Sequence, residues 1–248
     1  MNPVISTIIV NYNAGALLRA CVDSVLNCPL DIQIIVVDNA SKDNSLDALL
    51  NLENVQVIRN THNQGFAAAC NAGLKLATAE NILFLNPDCT FLPGTIVELL
   101  RVLRLESKTC MVGALLTDYD GTEQAGARRA IPTPWRSFVR AFGLSGLASR
   151  WPKLFFDFHL HKQALPTQPI EVEAISGACM LVKREAVQEV GVWDEDYFLH
   201  CEDLDWCMRF RQKGWQILFV PSAKIRHAQG FCSRNRRLFV EWYKHKGR

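Results

Sequence analysis

Apolar residues arrive along this chain as short unbroken runs separated by stretches with helical spacing. Val4–Asn11, Ile32–Asp38, Val55–Arg59, Asn81–Leu85 and Met111–Leu116 are rich in Ile, Val, Leu and Phe and read as strands. Between them, Ala16–Leu26, Ser45–Leu50, Phe66–Ala77 and Thr95–Glu106 repeat apolar residues with the period of a helix, and Pro93–Gly94 marks the start of the last. Strands without polar alternation are buried on both faces. The pattern therefore predicts an α/β fold with a mostly parallel central sheet and helices on both faces. In such sheets ligands gather beyond the carboxyl ends of the strands.

Polar residues collect at those predicted ends. The first strand runs into Asn11-Tyr12-Asn13, the second into Asp38-Asn39-Ala40-Ser41 and the fourth into Asn86-Pro87-Asp88. Short oxygen-bearing side chains suit turns as well as ligands, but three such clusters on one edge point to a site. The stretch from Ala130 to Gln168 breaks the pattern with four prolines and seven aromatic residues, Trp135, Phe138, Phe142, Trp151, Phe155, Phe156 and Phe158. It reads as irregular with one or two short helices, either covering the site, holding an acceptor or extending the core. Order returns with Val172–Ile175, Ser176–Val182, a helix over Arg184–Val190 ended by Gly191, and a helix over Glu202–Lys213 ended by Gly214. Ile217–Val220 and Ala223–Arg226 read as two further short strands.

Composition narrows the class. The chain has 248 residues, 49% of them hydrophobic, and a net charge of +2, enough for one domain with a sizeable core. Nine cysteines, an odd number without a CxxC, suit reduced core thiols better than a disulfide framework. The first strand lacks the basic flank and cleavage site of a signal peptide, and no run approaches a membrane span of roughly 18–20 apolar residues. A cytoplasmic protein is expected. Charge is uneven: from Lys224 onward eight bases face one acid, Glu241. Residues 231–248 thus form a basic tail with interspersed aromatics. It is either a solvated helix or a peripheral contact with an anionic membrane face. No nucleic-acid partner is expected.

Four features carry candidate chemistry. Asp88, just past a buried strand, is either the solvated acid of an Asn-Pro turn or a ligand for a divalent cation that bridges a diphosphate. Glu202-Asp203-Leu204-Asp205 opens a helix, where acids favour the dipole; Asp205 and Arg209 would pair on its surface. Aromatic neighbours in the preceding Trp193–Leu199 segment also make one of these acids a reasonable general base. His227, after a predicted strand, is either a structural histidine or a metal ligand. His159 and His161 would share a face only in an extended segment. Walker A, dinucleotide-binding and nucleophile-elbow motifs are absent, which removes the usual NTPase, dehydrogenase and hydrolase routes.

The segments Ile8–Asn13, Val36–Ser41, Asn63–Gly73, Phe84–Asp88, Ser176–Met180, Phe198–Asp205 with Arg209, and His227–Gly230 follow one another in a familiar order. In them the chain resembles the family 2 glycosyltransferases of the GT-A fold, in particular the bacterial rhamnosyltransferase-like branch. The resemblance implies one catalytic domain over residues 1–230, with a nucleotide-sugar half (1–116) and an acceptor half (117–230). It implies that Asp203 is the catalytic base and that Asp88 and His227 bind a divalent cation, Mg²⁺ or Mn²⁺. Asp38 would read the nucleoside of the donor, with Asn11, Asn13, Asn39, Gly65, Asn71 and Asn86 around the donor. Gly177, Trp193 and Glu202 would form the sugar and acceptor pocket. His200 stands where this branch commonly has Tyr, and would alter acceptor contacts or tune Asp203.

The implied reaction is inverting transfer of a sugar, rhamnose-like by preference, from a nucleoside-diphosphate sugar to a saccharide acceptor. A lipid-linked acceptor would suit surface-polysaccharide assembly at the inner membrane face. Galactofuranose or fucose as the donor sugar, and an inactive nucleotide-sugar-binding protein, are the alternatives. A nucleotidyltransferase is disfavoured because the loop after the first strand, Asn11–Gly15, has no basic residue.

Overall fold

The computed structural model describes residues 3–131, 133–144, 146, 150–151 and 160–228, without the side chains of Arg140 and Lys162. The basic tail expected at 231–248, His159, and Phe155, Phe156 and Phe158 of the aromatic stretch lie outside the described residues.

The predicted apolar runs become β1 (Ile5–Asn11), β2 (Ile32–Asp38), β3 (Val55–Arg59), β4 (Asn81–Leu85) and β6 (Thr109–Thr117). Every residue of β1, β4 and β6 is buried, as unbroken Ile, Val and Leu runs require. The connecting helices are α1 (Ala16–Leu26), α2 (Phe66–Leu74) and α3 (Thr95–Leu103), with the short strand β5 (Cys89–Phe91) before α3. After β7 (Arg128–Arg129) and α4 (Pro134–Ala141) come β8 (Ile170–Glu171), β9 (Ala174–Ile175), β10 (Cys179–Lys183), α5 (Arg184–Val190), α6 (Glu202–Gln212) and β11 (Gln216–His227).

Nine strands form one sheet in the order β3-β2-β1-β4-β10-β6-β11-β5, with β8 also on β11. β1 to β4 run parallel, and β10 enters between β4 and β6 antiparallel to both. β11 is parallel to β6, so six of the nine strands share one direction. A two-stranded ribbon of β7 and β9 stands apart from this sheet.

The register decides what meets at the functional edge. Asn11 lies opposite Asp38 at the ends of β1 and β2, and Ile9 opposite Leu85 near the end of β4. Because β10 runs the other way, its start, Cys179 opposite Leu85, arrives at that edge with Gly177 and Ala178 just ahead of it. β11 delivers His227 opposite Cys89, next to Asp88.

Three elements differ from the sequence pattern. Ser45–Leu50 is not an α-helix but a single 3₁₀ turn over Asp47–Leu49, because the Ser45 hydroxyl donates locally to Asp43 and accepts from Asn11. The two predicted strands at 217–220 and 223–226 are one twelve-residue strand. Its register shifts between Val220 and Lys224, where Pro221 lacks a ladder donor. His161 lies in a 3₁₀ turn, Leu160–Lys162. No described helix is long and apolar enough to cross a membrane.

Candidate active site

The turns after β1 and β2 lock together. The Asn11 side-chain amide donates to Asp38 Oδ1 (2.8 Å), Ser41 Oγ (3.1 Å) and Ser45 Oγ (2.8 Å). Asp38 Oδ2 accepts from the Ser41 N–H (3.1 Å), and Asn13 Oδ1 from the Lys42 N–H (2.7 Å). Asn13 and Ala40 both adopt left-handed φ, 53° and 61°, so the two turns fold tightly against each other. Asn39 bridges onward, donating to the Gly65 carbonyl (3.0 Å) and accepting from Asn60 (2.8 Å). Gly65 (φ 91°) opens α2. A Cβ there would stand 2.7 Å from the Phe198 carbonyl oxygen, so the close approach demands glycine.

A second cluster forms where β11 meets β5. His227 Nε2 is 3.3 Å from Asp88 Oδ1, and both side chains are buried. Gln124 settles which imidazole nitrogen holds the proton. Its Nε2 donates to the His227 carbonyl (2.8 Å) and to Asp118 Oδ1 (2.6 Å), so its Oε1 must accept, and it faces His227 Nδ1 at 2.7 Å. With the proton on Nδ1, the Nε2 lone pair confronts an Asp88 oxygen that has no hydrogen bond. Two buried acceptors so placed could hold a cation between them. Adjacent ligands about 2.1 Å from an octahedral cation stand about 3.0 Å apart, which this separation fits. Cys89 completes a group of three donors here, but burial, and then the charge of Asp88, push its thiol well above the ordinary range. It stays protonated, donating to the Ala178 carbonyl (3.5 Å), and Asp88 with His227 are the donors that suit a hard divalent ion.

Asp203 lies in the first turn of α6, behind two consecutive left-handed residues, His200 (φ 68°) and Cys201 (φ 70°). Its Oδ2 accepts from the Gly177 N–H (3.0 Å) and from the Arg129 guanidinium in a close ion pair. Arg129 in turn is held by the Ile175 carbonyl (3.0 Å) and by the β7–β9 ribbon. Oδ1 of Asp203 makes no hydrogen bond to a described residue. The backbone connects this acid to the cation donors: Gly177 precedes Ala178, whose carbonyl accepts from the Asn86 N–H (2.9 Å), two residues before Asp88. Glu202 points inward, 8% exposed, with Oε2 unsatisfied. Burial, and secondarily the charge of Asp203, push its carboxyl up to about 8. Asp205 pairs with Arg209 at 2.8 Å along the helix, as the spacing predicts.

The structure therefore brings Asp38, Asn13, Asn39, Gly65 and Asn86 to one edge, with Asp88, His227, Gly177, Glu202 and Asp203 beside them. Three of the expected site residues are buried and engaged within the fold itself. Asn11 is completely buried, with its side-chain NH2 committed to Asp38 and two serines, and it shapes the turn. Asn71 exchanges hydrogen bonds with the Trp193 backbone (2.9 and 3.1 Å) and donates to Glu195 (2.8 Å), which makes it a brace for the 193–195 loop. Trp193 is 1% exposed and sits in an aromatic cluster, 4.1 Å from Trp206, 5.2 Å from Phe84 and 5.7 Å from Phe66 between ring centroids.

Sequence reasoning missed Arg129 and Gln124. Both sit in a loop-rich stretch with no periodicity, and their partners Asp203 and His227 lie 74 and 103 residues away, so no spacing could pair them. A separate groove of about 490 Å³, between the end of α1 and the start of β2, holds Asp31 as its only charged residue and is lined by none of these site residues.

Two interlocked turns, the Asp88–His227 pair and the Asp203 carboxylate thus lie along one edge of the α/β sheet. The sequence model of glycosyl transferase family 2 matches residues 6–191, and the chain belongs to that family. It is 28% identical over 240 residues to N-acetylglucosaminyl-diphospho-decaprenol L-rhamnosyltransferase of Mycobacterium tuberculosis, covering 92% of this chain and 76% of that one. It is 26% identical over 238 residues to a dTDP-rhamnosyl transferase of Shigella flexneri, covering 93% and 71%. Among solved structures, GalNAc-T7 with UDP, GalNAc and Mn²⁺ shares the fold at TM-score 0.66 and 20% identity. The match covers 91% of this chain and 44% of that one. The mannosyltransferase of Pyrobaculum calidifontis with GDP-mannose and Mn²⁺ does so at 0.63 and 17%, covering 96% and 60%. The fold is thus that of the GT-A glycosyltransferases.

Proposed function

We propose that this chain is an inverting, cation-dependent glycosyltransferase that moves a sugar from a nucleoside-diphosphate donor to an acceptor hydroxyl. The observation that carries the reading is the fixed Asp203 carboxylate. One oxygen is held by Arg129 and the Gly177 N–H, and the other is left for a substrate proton. Asp203 takes the proton of the acceptor hydroxyl as the oxygen attacks the anomeric carbon opposite the diphosphate. The carbon–oxygen bond to the diphosphate breaks, and the configuration inverts. Glu202 supports a single displacement: pushed up to about 8, it is largely protonated at neutral pH and is a poor nucleophile. It is suited to donating a hydrogen bond to a sugar hydroxyl. Asp88 and His227 would hold a Mg²⁺ or Mn²⁺ ion, whose chemistry is to neutralise charge on the departing diphosphate. Asp38, Asn13, Asn39 and Asn86 would contact the nucleoside and donor sugar, over a turn shaped by Asn11 and a helix start set by Gly65.

The rhamnosyltransferase relatives favour a deoxyhexose such as rhamnose on a nucleoside diphosphate. The name of the mycobacterial relative favours a lipid-linked saccharide as acceptor, and hence work at the cytoplasmic face of a membrane. A peripheral contact through the basic 231–248 segment would fit that setting. The test is a panel of dTDP-, UDP- and GDP-sugars with Mn²⁺ or Mg²⁺, read as thermal shift and as nucleoside-diphosphate release. A cation-dependent response to one donor is expected; indifference to the whole panel would overturn the reading.

A further inference from the structure

Helix α4 presents two unlike sides. Val139 is completely buried, and Arg136 on the same side is tied to Glu173 (2.6 and 2.9 Å) and to the Ile131 carbonyl (2.8 Å). Trp135, Phe138 and Phe142, spaced three and four apart, stand on the other side, 49%, 43% and 67% exposed. Trp135 stacks on Phe138 with centroids 5.5 Å apart, and Phe142, just past the helix end, lies tilted against Phe138 at 4.4 Å. Trp151 is 48% exposed with the Arg150 guanidinium 5.5 Å over its ring. Contiguous exposed aromatics of this kind mark an interaction surface.

Charge names the partner. Between Glu123 and Asp157 the sequence has six bases and no acid. Arg128, Arg129 and Arg136 pair with Glu123, Asp203 and Glu173, and the described cation beside the aromatic row is the exposed Arg150. Tryptophan and phenylalanine with flanking arginine suit the depth and sign of an anionic lipid interface, where ring and cation are both satisfied. The helix is also braced to the site. Arg129 holds Asp203, and two residues on, the Ile131 N–H donates to Glu173 Oε2 at 2.7 Å, the same acid that holds Arg136.

We infer that the Trp135–Phe138–Phe142 face of α4, with Arg150 and Trp151, docks the protein on an anionic bilayer. That docking would also present a bilayer-embedded acceptor to Asp203 rests on the function proposed above; the docking itself does not.

The test is flotation of the full chain with vesicles of phosphatidylcholine alone, and of phosphatidylcholine with roughly one third phosphatidylglycerol. The wild type should float with the anionic vesicles. Trp135→Ser/Phe138→Ser/Phe142→Ser should bind them roughly tenfold or more weakly, because the inserted apolar face is gone. Arg150→Glu should also weaken binding roughly tenfold, since two charge units change near the surface. Unchanged flotation of the triple variant, equal binding to neutral vesicles, or patch-dependent self-association without lipid binding would each overturn the inference. If the triple variant does not fold, quenching of tryptophan fluorescence by brominated-lipid vesicles decides: Trp135→Phe should lose part of it, and undiminished quenching refutes the docking. The cation-dependent donor shift, measured on the same variants, reports the proposed function independently.

Discussion

Replacing Glu202 with Gln isolates the electrostatic strain in the site, because it removes a titrating group while keeping its shape. The wild-type carboxyl is buried, lacks a partner for Oε2 and is pushed up to about 8, against an ordinary value near 4.5 in the unfolded chain. Between those two values the folded protein keeps a proton that the unfolded chain has released. Unfolding then releases that proton, so stability falls as pH rises through the window. The slope is about 1.4 kcal/mol per pH unit, which puts the whole loss at about 3–5 kcal/mol. The amide of the Glu202→Gln variant has no such proton to lose. The two proteins should therefore be about equally stable at pH 4.5, with the variant ahead by about 2–3 kcal/mol at pH 7 and further ahead at pH 9. Urea denaturation of both proteins at these three pH values, without divalent cation, measures the difference. A constant gap across the range, or a variant that falls behind as pH rises, would refute the burial argument for Glu202.

Asp203→Asn should lower kcat by roughly a hundredfold to ten-thousandfold while leaving the donor-induced thermal shift in place, since only the proton acceptor is lost. Full transfer activity in that variant would remove Asp203 as base. Gln124→Leu should weaken Mn²⁺ binding roughly ten- to a hundredfold, because nothing then holds the His227 proton on Nδ1; titration calorimetry reads this directly. Gly113→Ala should destabilise the fold by about 1–3 kcal/mol, as the new Cβ would stand 2.8 Å from three side-chain atoms of Ile175. Chemical denaturation checks that value, and an unchanged midpoint would show that Ile175 can move aside.

The parallel part of the fold is local information. Unbroken runs such as Ile5–Val10 and Ile82–Leu85 can only be satisfied between two layers, so their period names the sheet and its C-terminal edge names the site. The family resemblance pointed to Asp38, Asp88, Gly177, Asp203 and His227, and the fold sets each at or next to the end or start of a strand or helix. What the tertiary structure alone decided is how those groups are held. The antiparallel insertion of β10 brings the Gly177 N–H to Asp203, and a β7–β9 ribbon that no pattern announces brings Arg129 there. Trp193, whose residue type suits a sugar pocket, packs inside an aromatic core, and Asn11 and Asn71 spend their side-chain amides on the fold's own hydrogen bonds. Sequence spacing reports what a residue is and which face it shares with its neighbours. Partners 74 or 103 residues apart become visible only when the chain is packed, since their contact is made by the fold and not by the segment that carries either one.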